Sequence, residues 1–124
     1  MINIYPLTNI YEKPLNSSKI SSQMIYGEKF NIIKKRNNWL KIKTSYDNYT
    51  GYIKNKKFLV KSNPKFKIYS LKSEIFKEIN GKFRKTNKFL YFASRISKID
   101  ENKEFLKFEK NKWVKKKDLK KIDI

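Results

Sequence analysis

An internal repeat with a spacing of 66 residues restricts the fold of this chain more than any other feature. The segments MIYGEKFNII (24–33) and NNWLKI (37–42) correspond to LYFASRISKI (90–99) and KEFLKF (103–108). The repeat predicts that one small fold occurs twice. The positions that correspond at this spacing are Tyr26 and Phe92, Phe30 and Ile96, Ile33 and Ile99, Trp39 and Phe105, Leu40 and Leu106, Lys41 and Lys107, and Ile42 and Phe108.

The spacing changes only between the matching segments. GYIK (51–54) corresponds to KWVK (112–115) at a spacing of 61, and Ile10-Tyr11 corresponds to Ile75-Phe76 at a spacing of 65. Insertions confined to connections are typical of a duplicated fold, because loops tolerate them better than strands do. The segment Ser62-Asn63-Pro64 favours a turn or an extended linker. We therefore predict two domains, residues 1–61 and 62–124.

Apolar and polar residues alternate along short segments, which is typical of half-buried antiparallel strands. Phe30 and Ile32 alternate with polar neighbours, and WLKIKT places Leu40 and Ile42 on one face. Domains of about 55–65 residues can fold alone, and a bent five-stranded sheet that closes on itself is the economical way to build one. The predicted fold class is all-β, with two small five-stranded barrels in tandem.

Helical signals are weak throughout the sequence. The segment KSEIFKEI (72–79) fits an amphipathic helix only poorly, and a single helical turn is a candidate at residues 55–58, where the first repeat ends. Neither segment changes the prediction of an all-β fold.

The chain is strongly basic, with 31 Lys and Arg against 11 Asp and Glu and a formal net charge of +20. Such a surplus points to an anionic partner such as nucleic acid, a membrane surface or an acidic polymer. A second interpretation is compositional drift, because Lys, Asn, Ile, Phe and Tyr share AT-rich codons and only three of the cations are arginine. The candidate polyanion-binding residues in the densest basic runs are Lys34, Lys35, Arg36, Lys115, Lys116 and Lys117. Alternatively, these are solvated strand ends that discourage aggregation.

The absence of Cys and His excludes disulfides, thiolate metal sites and the usual general base. We therefore expect no catalytic residue, no cofactor and no metal site, and we expect Glu28 in YGEKF to fix a turn through backbone hydrogen bonds. No apolar run approaches the ~20 residues of a membrane-spanning helix, and the N-terminal residues lack the pattern of a signal peptide. No membrane insertion and a cytoplasmic location are expected.

The order of several motifs resembles bacterial Src-homology-3 (SH3b) domains, and this resemblance implies that the two small five-stranded barrels in tandem are SH3-like. The motifs are IYEKP, YGEKFNII, NWLKI and GYIK in the first repeat, and KFLYFASRISKI, EFLKF and KWVKKKDL in the second. Their tandem arrangement resembles the N-terminal SH3b pair of NlpC-family cell-wall cysteine peptidases, which cut γ-D-glutamyl to diamino-acid bonds in peptidoglycan peptides. The resemblance implies that peptidoglycan fragments or a cell-wall peptidase domain are the partners. Because the catalytic Cys and His of that family are missing, no catalytic residue is carried over.

Aromatic residues are the candidate ligand-binding group. In SH3-like barrels the outer face beside the long first loop is a common binding surface, and an aromatic residue that precedes a core aliphatic residue points to that face. The alternative is that these rings cap a small core and keep their polar ends in water. The candidates are Tyr11, Trp39, Tyr46, Tyr49, Tyr52 and Trp113.

Two functions are consistent with these features. The first is a non-catalytic SH3b module that binds peptidoglycan peptides or glycan, as the regulatory or substrate-shaping part of an NlpC-type peptidase. The second is a basic SH3-like or Tudor-like nucleic-acid-binding protein. The net charge of +20 favours the second function, whereas the shortage of Arg and the lack of a repeated exposed aromatic platform count against it.

Overall fold

A computed structural model describes residues 1–122 of the chain. The chain divides into two compact units, the first comprising Met1–Ser62 and the second starting at Asn63. Antiparallel strands form both units, and the described residues contain no α-helix.

The first unit is a five-stranded antiparallel sheet in the order β2-β1-β5-β4-β3. Its strands are β1 (Leu7–Tyr11), β2 (Ile20–Ile25), β3 (Phe30–Arg36), β4 (Trp39–Thr44) and β5 (Thr50–Lys54). Every strand contributes to a single buried cluster, so the sheet curls around one core. The members of this cluster are Ile10, Met24, Phe30, Leu40, Ile42, Ile53 and Phe58.

The second unit contains a five-stranded sheet and a three-stranded sheet. The larger sheet has the order β10-β11-β12-β7-β8, and the smaller has the order β13-β6-β9. The strands are β6 (Phe66–Ile68), β7 (Lys72–Ile79), β8 (Lys82–Tyr91), β9 (Arg95–Ile96), β10 (Asp100–Glu101), β11 (Phe105–Glu109), β12 (Lys112–Lys115) and β13 (Leu119–Lys121).

The predicted all-β, SH3-like architecture is confirmed, but the five-stranded sheets are open and not closed barrels. In the first unit, β2 and β3 are the two edges of the sheet. The N-terminal residue Ile2 lies outside the five strands and forms antiparallel bridges to Lys29, which directly precedes the edge strand β3, and to Leu59. In the second unit the equivalent pairing is extensive enough to form the three-stranded sheet.

The burial predicted for β3 is wrong beyond its first residue. Phe30 is buried, but Ile32 is 41% exposed and Ile33 is also exposed. The pairing of β3 with β4 shifts register between Ile32 and Lys34. Because β3 is an edge strand with this irregularity, its alternating pattern does not hold the later residues against the core.

The two weak helical candidates are not helices. Residues 72–79 form β7, which pairs with β8 in a hairpin. The hairpin turns at Asn80 and Gly81, both of which have positive φ, as a tight two-residue connection requires. Residues 55–58 belong to no helix and no strand. The helical turn occurs instead in the second unit, as a 3₁₀ turn at Lys116–Asp118, 61 residues after the predicted position.

The two units share the same strand order and the same register. Leu40 lies opposite Ile53 in the first unit, and Leu106 lies opposite Val114 in the second. The order β2-β1-β5-β4-β3 corresponds to β8-β7-β12-β11-β10. Positions of β1, β4 and β5 that the sequence aligns at spacings of 65, 66 and 61 residues therefore occupy equivalent places in the two five-stranded sheets. Phe30 and Ile96 do not, because Phe30 lies in β3 and Ile96 lies in β9 of the three-stranded sheet.

Gly51 is required by close packing between β5 and β1. A methyl group at this position would overlap with Cγ2 of Ile10 and would lie 3.1 Å from the carbonyl oxygen of Tyr11. We predict that Gly51→Ala lowers the free energy of unfolding by about 1–3 kcal/mol through overpacking. Urea unfolding followed by Trp39 fluorescence in a Trp113→Phe background measures this change. Thr50→Ala, at an exposed neighbouring position, is the control, and equal midpoints for the two variants would contradict the prediction.

Candidate binding face of the first unit

Strand alternation places three aromatic residues on the outer face of the first sheet. Ile10, Leu40 and Ile53 point into the core, so their neighbours on the same strands point to the opposite face. These neighbours are Tyr11, Trp39 and Tyr52, which we call the aromatic triad; all three are half-buried.

Strand register brings the triad together. Tyr11 lies directly opposite Tyr52, and the rings of Tyr11 and Trp39 meet edge to face with centroids 5.2 Å apart and an interplanar angle of 83°. Edge-to-face contacts of this kind stabilise aromatic pairs beyond the area that they bury. The triad is therefore a packed surface and not a set of independent rings.

The two other tyrosines of the first unit that were predicted to bind ligand lie elsewhere. Tyr49 packs against the core cluster, and its backbone N–H donates to Oγ1 of Thr44 at 2.9 Å. Tyr46 is 93% exposed in the turn between β4 and β5. The structure thus assembles three of the five candidates of the first unit into one face, and the other two belong to the core and to the turn.

A groove of about 320 Å³ opens beside Trp39. This volume is at the lower end of the range for small-molecule sites. A backbone hydrogen bond holds two of its sides together, because the N–H of Asn55 donates to the carbonyl of Asn38 at 2.7 Å. The lining residues are Asn16, Asn38, Trp39, Lys54, Asn55 and Lys56.

The asparagines of this groove are functional candidates that the sequence analysis missed. Asn38 directly precedes β4 and Asn55 directly follows β5, the two strands that carry Trp39 and Tyr52. Asn16 belongs to the connection between β1 and β2. The sequence contained one signal for these residues, because Asn38 in KRNNW and Asn55 in YIKNKK lie next to the strands that carry Trp39 and Tyr52. The chain is rich in Asn, so this signal did not distinguish them from other asparagines.

Cations surround the triad in two rows across the sheet. Trp39 lies between Arg36 on β3 and Lys54 on β5. Lys34 lies opposite Lys41, which in turn lies opposite Tyr52. Because directly opposed residues share a face, these side chains give the outer face a positive potential.

The first predicted polyanion patch is therefore divided between two sides of the sheet. Lys34 and Arg36 pair with outer-face residues, whereas Lys35 lies opposite the core residue Leu40. All three side chains are exposed. Only Lys34 and Arg36 are positioned to act together with the triad.

The second predicted patch is partly occupied by interactions within the second unit. Nζ of Lys116 lies 3.3 Å from a carboxylate oxygen of Glu101, and Nζ of Lys115 lies 5.5 Å from the ring centre of Phe76. Hydrogen bonds from Lys98 and Lys116 lower the pKa of Glu101. Lys117 is exposed. This patch is thus less available to an anionic ligand than its composition predicted.

The second unit has an equivalent aromatic cluster, and it is covered. Phe76, Phe105 and Trp113 correspond to Tyr11, Trp39 and Tyr52, and all three are buried. The covering residue is Phe83 of β8, as the ring geometry shows. Phe83 stacks on Phe105 at 4.3 Å with an interplanar angle of 6° and meets Trp113 edge to face at 5.0 Å.

Trp113 is consequently unlike the exposed ligand-binding residue that the sequence predicted. It is 7% exposed, and its Nε1 is buried without a hydrogen-bond partner. An unsatisfied buried donor costs about 1–3 kcal/mol. The packing of Phe83 on Phe105 and Trp113 therefore keeps the cluster covered, although it leaves Nε1 of Trp113 without a hydrogen bond.

The described part of the chain provides little for metal chemistry. Between residues 1 and 122, no group of three or more metal-ligating side chains is placed to hold an ion. Over the same residues, no helix is long and apolar enough to cross a membrane.

Comparison with known proteins agrees with this architecture. Residues 10–58 match the family model of the bacterial dipeptidyl-peptidase SH3 domain. No curated protein matches the chain significantly. The chain is similar in fold to the crystal structure of an NlpC/P60 family protein from Bacillus cereus ATCC 10987, with a TM-score of 0.73 and 10% sequence identity.

The likeness to the Bacillus cereus protein covers 98% of this chain and 55% of that chain, so this chain spans about half of its length. The resemblance to SH3b domains like those of NlpC-type peptidases, predicted from the sequence, is confirmed. SH3b domains are non-catalytic modules.

The cover over the second cluster leads to a stability prediction. Phe83→Ala is expected to lower the free energy of unfolding by about 2–3 kcal/mol. This loss is smaller than the usual cost of truncating a core Phe, because water then reaches the unpartnered Nε1 of Trp113 and offsets part of it. Trp113 emission in a Trp39→Phe background should shift to the red. Phe89→Ala is the matched control, since this half-buried Phe of the same strand lies under Nζ of Lys72 at 4.4 Å. Equal emission spectra for the two variants would contradict the assignment of Phe83 as the cover.

Glu28 leads to a prediction about pH. As expected, it belongs to a turn held by backbone hydrogen bonds, because its N–H donates to Ile25 and its carbonyl accepts from Asn3. Burial, and secondly the nearby Asp47, raise the pKa of its carboxyl above the ordinary 4.5. The folded state then holds this proton more tightly than the unfolded state does, so the contribution of Glu28 to stability falls as the pH rises through the raised pKa.

Glu28→Gln removes this titration. We expect the stability of Glu28→Gln relative to the natural chain to increase from pH 3.5 to pH 7, as measured by urea unfolding at each pH. A relative stability that is constant or decreasing over this range would show that the carboxyl is not destabilised by its surroundings.

Proposed function

We propose that this chain is a non-catalytic SH3b module that binds peptidoglycan fragments and acts together with a cell-wall peptidase domain of the NlpC type. The observation that carries the proposal is the open aromatic triad of the first unit, with an amide-lined groove on one side and cations along both rows.

The chemistry of this face suits fragments of the bacterial wall. Such fragments combine sugar rings with peptide carboxylates. Aromatic side chains supply a rigid apolar surface, asparagine amides donate and accept hydrogen bonds, and Arg36 and Lys54 on either side of Trp39 provide charge-assisted bonds to carboxylates. The face therefore offers a partner for each type of group in the ligand.

The proposed peptidase partner is supported by the matching family model and by the fold likeness to an NlpC/P60 protein. The chain has neither Cys nor His. In this proposal the bond-breaking chemistry therefore belongs to the partner domain, and the SH3b units position wall material for it.

The proposal predicts that muropeptides bind to the first unit. Titration with a disaccharide tetrapeptide should quench or shift Trp39 fluorescence in a Trp113→Phe background. Trp39→Ala and Tyr52→Ala should each weaken binding by about tenfold or more, as expected for aromatic anchors at the centre of a site. Tyr69→Ala, at an exposed tyrosine of the second unit, should leave the affinity unchanged.

Two results of this titration would contradict the proposal. The first is the absence of any change in Trp39 fluorescence or in amide chemical shifts of the first unit at millimolar ligand. The second is an equal loss of affinity for Tyr69→Ala and for the triad variants.

Nucleic-acid binding is the second candidate function, and the paired cations beside the triad favour it. Arg36 lies opposite Trp39 and Lys41 lies opposite Tyr52, and bases can stack on these rings. Lys34 lies opposite Lys41. This function requires an affinity for single-stranded oligonucleotides that falls steeply with salt. Retention on heparin that disappears at moderate salt, without any shift of RNA or DNA in a gel, would count against it.

A further inference from the structure

The second unit shows which position on the outer face accepts a flat ring. Phe105 has two aromatic neighbours there: Phe76 meets it at 5.0 Å and 65°, and Phe83 stacks on it at 4.3 Å and 6°. In the first unit, the equivalent residue Trp39 has the counterpart of the first contact, with Tyr11 at 5.2 Å and 83°. The groove opens beside Trp39.

The two units differ here because their first connections differ. In the second unit β7 continues past Phe76 to Ile79, turns at Asn80-Gly81, and returns as β8 with Phe83 over the cluster. In the first unit β1 ends at Tyr11. The following residues, EKPLNSSK (12–19), contain no aromatic residue. The first unit therefore has the platform without a covering ring of its own.

The lining of the groove argues for a sugar ring and against a second aromatic side chain. Three of its six lining residues are asparagines. An aromatic ring in the groove would leave their amides without partners, which is costly for groups removed from water. A pyranose presents an apolar face for stacking on Trp39 and hydroxyl groups around its edge for Asn16, Asn38 and Asn55.

The charges argue for a carboxylate on that sugar. Arg36 and Lys54 lie directly opposite Trp39 on the two neighbouring strands, at the roughly 5 Å spacing of cross-strand neighbours. Lys56 also lines the groove. Among residues 1–122, no acidic residue is paired with Arg36, Trp39 or Lys54 in the sheet, so a carboxylate attached to the stacked ring meets two cations without a competing anion from this row.

We infer that the first unit binds a carboxylate-bearing pyranose, with the sugar face stacked on Trp39 and the carboxylate held by Arg36 and Lys54. Among wall components, N-acetylmuramic acid has this chemistry where its lactyl carboxyl is free, that is, where no stem peptide is attached to it. The inference rests on the proposed function and makes it specific, because it assigns recognition to the carboxylated sugar and not to the stem peptide alone. The second unit does not bind this group, since Phe83 occupies the equivalent position.

The test compares small probes by NMR titration of the complete chain. N-acetylmuramic acid provides ring and carboxylate, N-acetylglucosamine provides the ring without a carboxylate, and the free stem tetrapeptide provides carboxylates without a sugar. Glucuronic acid is a carboxylated sugar that does not come from peptidoglycan. We expect N-acetylmuramic acid to bind at least about tenfold more tightly than N-acetylglucosamine and to shift amide signals around Trp39 and Asn55.

Variants separate the two contributions. Trp39→Ala should abolish binding of both N-acetyl sugars, while Trp39→Phe retains part of it because a ring remains. Lys54→Gln should weaken N-acetylmuramic acid and leave N-acetylglucosamine unchanged. Lys103→Gln, at an exposed lysine of the second unit, is the charge-matched control. Circular dichroism and Trp113 emission verify that each variant is folded.

The outcomes distinguish the inference from the proposed function. If N-acetylmuramic acid binds no more tightly than N-acetylglucosamine, or if Lys54→Gln does not weaken it, while the disaccharide tetrapeptide still binds in a way that depends on Trp39 and Tyr52, the inference is overturned and the proposed function stands. If no wall probe shifts the first unit, both are overturned. If glucuronic acid binds as well as N-acetylmuramic acid and shows the same dependence on Trp39 and Lys54, the inference stands for carboxylated sugars in general, and the wall origin of the ligand is lost.

Discussion

The pairing of β5 with β1 on one side and with β4 on the other determines which side chains share the outer face of the first unit. Tyr52 is the central residue of this arrangement, because it lies opposite Tyr11 and opposite Lys41. Gly51 allows β5 to approach β1 closely enough for the pairing, since any side chain there would meet Ile10. The aromatic triad, the cation rows and the groove beside Trp39 all depend on this register.

The same register produces an open aromatic surface in the first unit and a covered one in the second. The hairpin formed by β7 and β8 accounts for this difference. In the second unit the turn at Asn80-Gly81 lets β8 return with Phe83 over the cluster, and Trp113 is buried with an unpartnered Nε1. In the first unit the connection after Tyr11 does not provide such a ring. The two units therefore contain one covered and one open version of the same aromatic surface, and the proposed binding is to the open one.

Much of this arrangement follows from the sequence, because alternation depends only on strand geometry. The alternation that places Ile10 and Leu40 in the core also places their aromatic neighbours outside. Alternation gives no information on edges, so the exposure of Ile32 and the open sheet were not predictable from it. The cover by Phe83 was also missed, although Asn80-Gly81 between two alternating segments is a strong hairpin signal. The groove depends on how three connections meet in space, which spacing along the chain does not encode.

The central claim is that the outer aromatic face is open in the first unit and covered in the second. Acrylamide quenching of the two tryptophans tests it most directly, with Trp39 observed in a Trp113→Phe chain and Trp113 observed in a Trp39→Phe chain. We expect a quenching constant for Trp39 that is several times that of Trp113, since Trp39 is half-buried beside an open groove and Trp113 is 7% exposed. Equal quenching of the two residues, or stronger quenching of Trp113, would contradict the claim.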